Sequence, residues 1–82
     1  MNYEELIRKK LREKGLRGPE FEFVYNWIIG MARKVAEGPP GEPPEETEKE
    51  YQEVLRLFYE KLDEMLLMAK RWKERLLRAV AL

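Results

Sequence analysis

The part of the chain that follows Pro44 contains no glycine or proline, so nothing in it would interrupt a helix. Apolar residues recur there at steps of three and four, which places them on one face of a helix for about nine turns. At 1.5 Å per residue, a helix over residues 44–81 would be roughly 55 Å long. Whatever else the chain forms must cover this long face, which comprises Tyr51, Val54, Leu55, Phe58, Leu62, Met65, Leu66, Ala69, Trp72, Leu76 and Val80.

Two shorter helices precede this segment. The pattern predicts helix 1 over residues 3–14, ended by Gly15 in a left-handed cap, and helix 2 over residues 19–37. Residues 38–43 form a stiff Gly/Pro loop that cannot be helical. Ala, Glu, Lys, Leu and Arg make up more than half of the chain, which is typical of long helices. We therefore expect one all-α domain over residues 1–82, a three-helix up-down-up arrangement with a short helix 1, a medium helix 2 and a long helix 3.

Helix 2 is too short to cover all of helix 3. Its expected length is roughly 28 Å, and that of helix 1 is about 18 Å. Because the short loop makes helix 2 antiparallel to helix 3, helix 2 covers only the N-terminal half of that face. Residues 65–82 then need a different cover.

Charge is unevenly distributed along the chain, although sixteen basic and sixteen acidic residues cancel. Residues 42–64 contain nine acids and three bases, whereas residues 65–82 contain one acid and five bases. A second copy running antiparallel would place the basic end of helix 3 beside the acidic half, in a two-fold homodimer through helix 3. The basic helix 1 is attracted to the same acidic half, which weakly favours its packing beside helix 2. The alternative is that the gradient only complements the helix dipole.

Helix 2 carries a second apolar strip, formed by Phe23, Trp27 and Met31 with Gly30 beside them. A helix with apolar residues on several sides is either buried on those sides or presents a binding face. The strip therefore packs on helix 1, forms a subunit or protein interface, or lines a small-molecule pocket. Gly30 costs about 1 kcal/mol against Ala in mid-helix and would allow another helix or a ligand to approach the backbone.

Two surfaces thus become candidates for contact with a partner. The C-terminal segment resembles a basic amphipathic helix that docks in an acidic groove or lies on a membrane, although a core stripe flanked by solvated bases explains it too. A small-molecule binder would instead use a pocket near Tyr25, Tyr51, Phe58, Met65 and Trp72. The candidate partner interface comprises Phe23, Trp27, Gly30, Met31, Met65, Met68, Trp72, Leu76 and Val80.

Residue usage argues against catalysis. The chain contains no Ser, His or Cys, so Ser/His/Asp and Cys/His nucleophilic sites and His- or Cys-based zinc sites are excluded. It also lacks a phosphate-binding glycine loop, and zero net charge gives little support to nucleic-acid binding. We expect a non-enzyme without cofactors. Because no secretory signal or membrane-spanning run is present, we expect it in the cytoplasm, or in the cytoplasm of a recombinant host if the chain is designed.

The overall style of the sequence resembles that of de novo designed helical bundle proteins. The likeness rests on the near-absence of Ser, Thr, Asp, His and Cys, on Glu/Lys/Arg-rich outer faces, on the Pro44-Glu45-Glu46 helix start and on glycine at helix ends. Gly30 and the proline-dense loop depart from that style. The resemblance implies a structural scaffold or a self-associating or protein-binding module, and it transfers no functional residue. A small thermophile interaction protein is the natural alternative, because enrichment in Glu and Lys is expected there too.

Overall fold

The computed structural model describes residues 2–81, and every regular element in that range is an α-helix. The all-α class is therefore confirmed. The predicted three-helix arrangement is wrong, because Lys61 interrupts the helix expected over residues 44–81. The structure contains four helices in the described range: α1 Tyr3–Glu13, α2 Gly18–Ala36, α3 Pro44–Glu60 and α4 Leu62–Ala81.

The two ends of α1 follow from local sequence. The Asn2 side chain accepts hydrogen bonds from two backbone N–H groups of the first turn, at 3.1 and 3.3 Å, and so caps the helix. At the other end Gly15 has φ +90°, a left-handed conformation that glycine adopts without a Cβ penalty. The N–H of Leu16 donates to the carbonyl of Leu11 at 3.2 Å, which confirms the predicted left-handed cap.

Helices α1, α2 and α3 and the start of α4 pack around one core. Arg33 near the end of α2 contacts Glu48 near the start of α3 at 3.1 Å, so these two helices run antiparallel across the short loop. α1 runs in the same direction as α3, because Glu4 contacts Tyr51 at 2.8 Å and the end of α1 reaches the first turn of α4. The buried core comprises Ile7, Leu11, Phe21, Val24, Tyr25, Ile28, Ala32, Ala36, Tyr51, Leu55, Leu62 and Met65.

The interruption at Lys61 lies opposite the end of α1. The Lys10 ammonium donates to the backbone carbonyl of Tyr59 at 3.4 Å, a carbonyl that would accept from Asp63 in a continuous helix. Lys14 forms an ion pair with the Asp63 carboxylate and holds the pKa of that carboxyl below its usual range. Asp63 is the only aspartate in the chain, and aspartate competes for backbone hydrogen bonds inside helices. Contacts from α1 thus compete with the backbone hydrogen bonds of a continuous helix. The helix is interrupted at Lys61, and α4 begins at Leu62.

Tyr51 joins the three helices of the core. Its side chain is fully buried, and its hydroxyl donates to the Glu4 carboxylate of α1 at 2.8 Å. The Arg33 guanidinium of α2 lies 3.5 Å from the centroid of the Tyr51 ring. Burial, followed by the hydrogen bond to the neighbouring carboxylate, raises the pKa of the Tyr51 hydroxyl well above its ordinary value.

This raised pKa predicts an alkaline loss of stability that depends on Tyr51. The unfolded chain loses the Tyr51 proton near pH 10, whereas the folded chain retains it, so the stabilisation is complete below about pH 10 and falls above it. The contribution of Tyr51 to this fall approaches about 1.4 kcal/mol per pH unit. Chemical denaturation of the wild type and of Tyr51→Phe, between about pH 8 and pH 11.5, measures it by difference. Parallel pH dependences of the two proteins would contradict the assignment.

Candidate interaction surface

The apolar face of α4 is covered at its start and uncovered at its end. Leu62, Met65 and Ala69 are buried, with 0%, 7% and 5% of their surfaces exposed. Every residue from 70 to 81 is exposed, and we call residues 70–81 the overhang. The residues that continue the buried face along the overhang are exposed by more than half: Trp72 (57%), Leu76 (56%) and Val80 (83%).

The dimensions of the chain agree with a helix end that lacks a neighbour. The accessible surface is 6365 Å², whereas a compact monomer of 9.9 kDa exposes roughly 5,200 Å². The radius of gyration is 14.5 Å, against roughly 11.7 Å for a compact domain of 82 residues. The excess surface is roughly 1,150 Å², which is more than one partner buries in a standard protein interface, about 800 Å².

The overhang is also strongly basic. Its polar side chains are five cations and one carboxylate, and in the described range none of them forms an ion pair. An uncovered apolar strip bordered by unpaired cations favours an acidic partner surface with an apolar centre, because such a partner satisfies both features. The charged residues are Lys70, Arg71, Lys73, Glu74, Arg75 and Arg78.

A second uncovered apolar surface lies between α2 and α3. Two antiparallel helices leave a groove on each side of their contact, and α1 fills one of these two grooves. Arg8 of α1 lies 4.5 Å from the ring centroid of Tyr25 on α2, and Lys10 of α1 lies 4.7 Å from that of Tyr59 on α3. At 100° per residue, Trp27 lies about 160° around α2 from Tyr25, and Val54 lies about 140° around α3 from Tyr59. Trp27 and Val54 therefore lie on the side of the helix pair that α1 leaves free.

We call this surface the open groove. Its members contact the core on one side and are only partly buried, apart from Phe23, which is 52% exposed. They are Phe23, Trp27 and Met31 of α2 together with Val54 and Phe58 of α3.

The structure separates the predicted interface residues into a buried one and two accessible groups. Met65 belongs to the core and is not available to a partner, which corrects that part of the prediction. The sequence pattern places Val54 and Phe58 on the apolar face of helix 3, and Phe58 also in the predicted pocket, but it does not place either residue in a partner interface. The signal that identifies them as open-groove residues is their position on the flank of α3 away from Tyr59. The accessible residues are Met68, Trp72, Leu76 and Val80 on α4, and Phe23, Trp27, Gly30 and Met31 on α2.

The residues of the predicted small-molecule pocket do not surround one cavity. Tyr25, Tyr51 and Met65 fill the core, whereas Trp72 is exposed on the overhang. A depression where α1 meets the start of α2 has other lining residues: Arg12, Leu16, Arg17, Gly18, Phe21 and Glu22. A smaller one on α4 is lined by Met68, Arg71, Trp72 and Arg75.

Two further features bear on possible ligands. Across residues 2–81, no group of three or more His, Cys, Asp or Glu residues is placed to hold a metal ion. No helix of this described part is both long and apolar enough to cross a membrane.

Comparisons with models of protein families, with curated proteins and with solved structures found no match to the chain.

Substitution of Gly30 tests whether the side of α2 that carries Phe23 and Trp27 is free of neighbouring atoms. No atom lies within 4 Å of the position that a Cβ would occupy there, so Gly30→Ala is expected to raise the free energy of unfolding by about 1 kcal/mol. Chemical denaturation at low micromolar concentration measures the change. Gly15→Ala is the matched control, because φ +90° at Gly15 makes the same substitution destabilising. A destabilising effect at Gly30 would show that a neighbour occupies this space.

Proposed function

We propose that the chain is a non-catalytic helical module that associates with a second copy of itself through the apolar face of the overhang. The observation that carries the proposal is the loss of cover along one face of α4, from Ala69 at 5% exposed to Trp72 at 57%. Monomeric proteins rarely leave a contiguous apolar strip exposed, and such strips mark interaction sites.

Charge supports a second copy as the partner. The overhang carries five bases and one acid, whereas residues 42–64 carry nine acids and three bases. An antiparallel two-fold dimer brings these segments together twice, and every favourable contact is then made twice. Pairing of two overhangs with each other would instead place like charges side by side, which is unfavourable.

The proposal includes a designed origin, as a scaffold or association module. Several local features support it: the Asn2 cap, the glycine cap at the end of α1, and prolines at the starts of α2 and α3. The carboxylates Glu45 and Glu46 in the first turn of α3 follow the same rules, because they complement the positive end of the helix dipole.

The mass of the wild-type protein as a function of concentration tests the association. Sedimentation velocity is expected to show a dimer at high micromolar concentration and the 9.9 kDa monomer after dilution. Leu76→Glu is expected to raise the dimer dissociation constant at least tenfold, because a carboxylate in an apolar contact costs more than about 1.4 kcal/mol.

Leu67→Glu is the matched control for this variant. Leu67 is 52% exposed on the opposite side of α4, against 56% for Leu76, so its replacement is expected to leave the dissociation constant unchanged. A 9.9 kDa mass throughout the series would contradict self-association. If the wild type stays monomeric and binds vesicles of anionic phospholipid, and the Leu76→Glu variant does not bind them, the overhang contacts a membrane surface instead.

A further inference from the structure

The overhang and the open groove are complementary halves of one helix-packing site. α1, α2 and α3 form three sides of a bundle, and the open groove is the fourth side. The overhang is an amphipathic helix with no neighbour for its apolar face. We infer that each copy places its overhang in the open groove of the other, so that two four-helix bundles form by reciprocal exchange. This inference rests on the proposed function and adds the surface that receives the overhang.

The spacing of the two apolar strips matches. Trp72, Leu76 and Val80 follow one another at intervals of four residues, and so do Phe23, Trp27 and Met31. Four residues advance an α-helix by about 6 Å, so both strips extend for about 12 Å. Strips of equal period and length allow the side chains of one helix to enter the spaces between those of the other.

We place the overhang antiparallel to α3 of the partner, because this orientation brings its cations beside the acidic residues 42–64 in an antiparallel two-fold dimer. α2 is itself antiparallel to α3, so the overhang runs parallel to α2 of the partner. Trp72 then lies level with Phe23 of the other copy, and Val80 lies level with Met31.

The charges at the border of the open groove fit the cations of the overhang. Glu46 and Glu50 are exposed and lie about 80° and 40° around α3 from Val54, on the side away from α1. In the described range neither carboxylate forms an ion pair. They face the side from which an overhang bearing Arg75 and Arg78 would approach. Complementary charges of this kind fix the orientation and register of a contact more than its affinity.

The available area is also sufficient. The chain exposes roughly 1,150 Å² more than a compact monomer of its mass, and a standard interface buries about 800 Å² on each partner. Burial of the overhang and of the open groove of the same chain draws on this excess. Reciprocal exchange therefore brings each copy close to the surface of a compact protein.

Cross-linking through introduced cysteines tests the site that receives the overhang. The chain has no native cysteine, so every disulfide in a mixture joins two introduced cysteines. Met31→Cys chains are mixed with Val80→Cys chains at equal concentration under oxidising conditions. A mixed disulfide dimer is expected as the main product, since the bond requires Cα atoms within about 7 Å.

Two further mixtures complete the experiment, one as a control and one as a second reporting pair. Met31→Cys with Leu67→Cys is expected to give at least tenfold less mixed disulfide, because Leu67 lies on the opposite side of α4. Phe23→Cys with Trp72→Cys provides a second reporting pair. These positions are 52% and 57% exposed, so their substitution is expected to leave the monomer fold intact. Circular dichroism confirms that each variant is helical.

The outcomes separate this inference from the proposed function. A wild-type dimer in which Val80→Cys chains link mainly to each other would show that overhangs pair together, which overturns reciprocal exchange and leaves self-association standing. Equal yields with the Leu67→Cys control would overturn it in the same way. A wild-type protein that stays monomeric at high micromolar concentration would overturn both.

Discussion

The arrangement depends on a difference in length between an apolar face and the helices that cover it. One face of α3 and α4 is apolar from Tyr51 to Val80, and the helices that pack on it bury it only as far as Ala69. α1 reaches the first turn of α4 through Lys14, and α2 leads from there back toward the loop. The overhang therefore carries core-type side chains into solvent. The large accessible surface and the elongated shape follow from this difference.

Polar contacts from α1 determine how α4 leaves the bundle. The Lys10 ammonium donates a hydrogen bond to the backbone carbonyl of Tyr59 at the end of α3, and Lys14 forms an ion pair with Asp63 at the start of α4. Tyr51 fixes the other end of α1 through its hydrogen bond to Glu4. Surface ion pairs contribute little to stability one at a time, but here they act on the helical ladder itself. The direction of the overhang is therefore coupled to the packing of α1 against α3.

Local sequence signals predict much of the fold. The limits of the first two helices and the start of α3 are correct within one residue, because Gly15, Gly38 and Pro44 stop and start helices by their own conformational preferences. The interruption at Lys61 depends instead on contacts between segments about fifty residues apart. A periodic apolar pattern does not show such contacts, and the lone aspartate two residues later is the only local sign of them.

One part of the candidate interaction surface is likewise predictable from the sequence, and the other part is not. The exposure of Trp72, Leu76 and Val80 is predictable from helix lengths alone. The open groove is not, since Val54 and Phe58 become one of its walls only because α1 occupies the opposite side of α3. Which side α1 takes depends on contacts such as those of Tyr25 and Tyr59, and the helical periodicity of each segment is compatible with either side.

The central claim is that the apolar face of the overhang finds its cover on another copy of the chain. Amide hydrogen exchange resolved along residues 65–81, at concentrations well above and well below the dissociation constant of the dimer, tests it most directly. The account predicts that amides of residues 70–81 are protected in the concentrated sample and exchange rapidly in the dilute one, whereas amides near Met65 remain protected in both. Equal protection of residues 70–81 at both concentrations would contradict it.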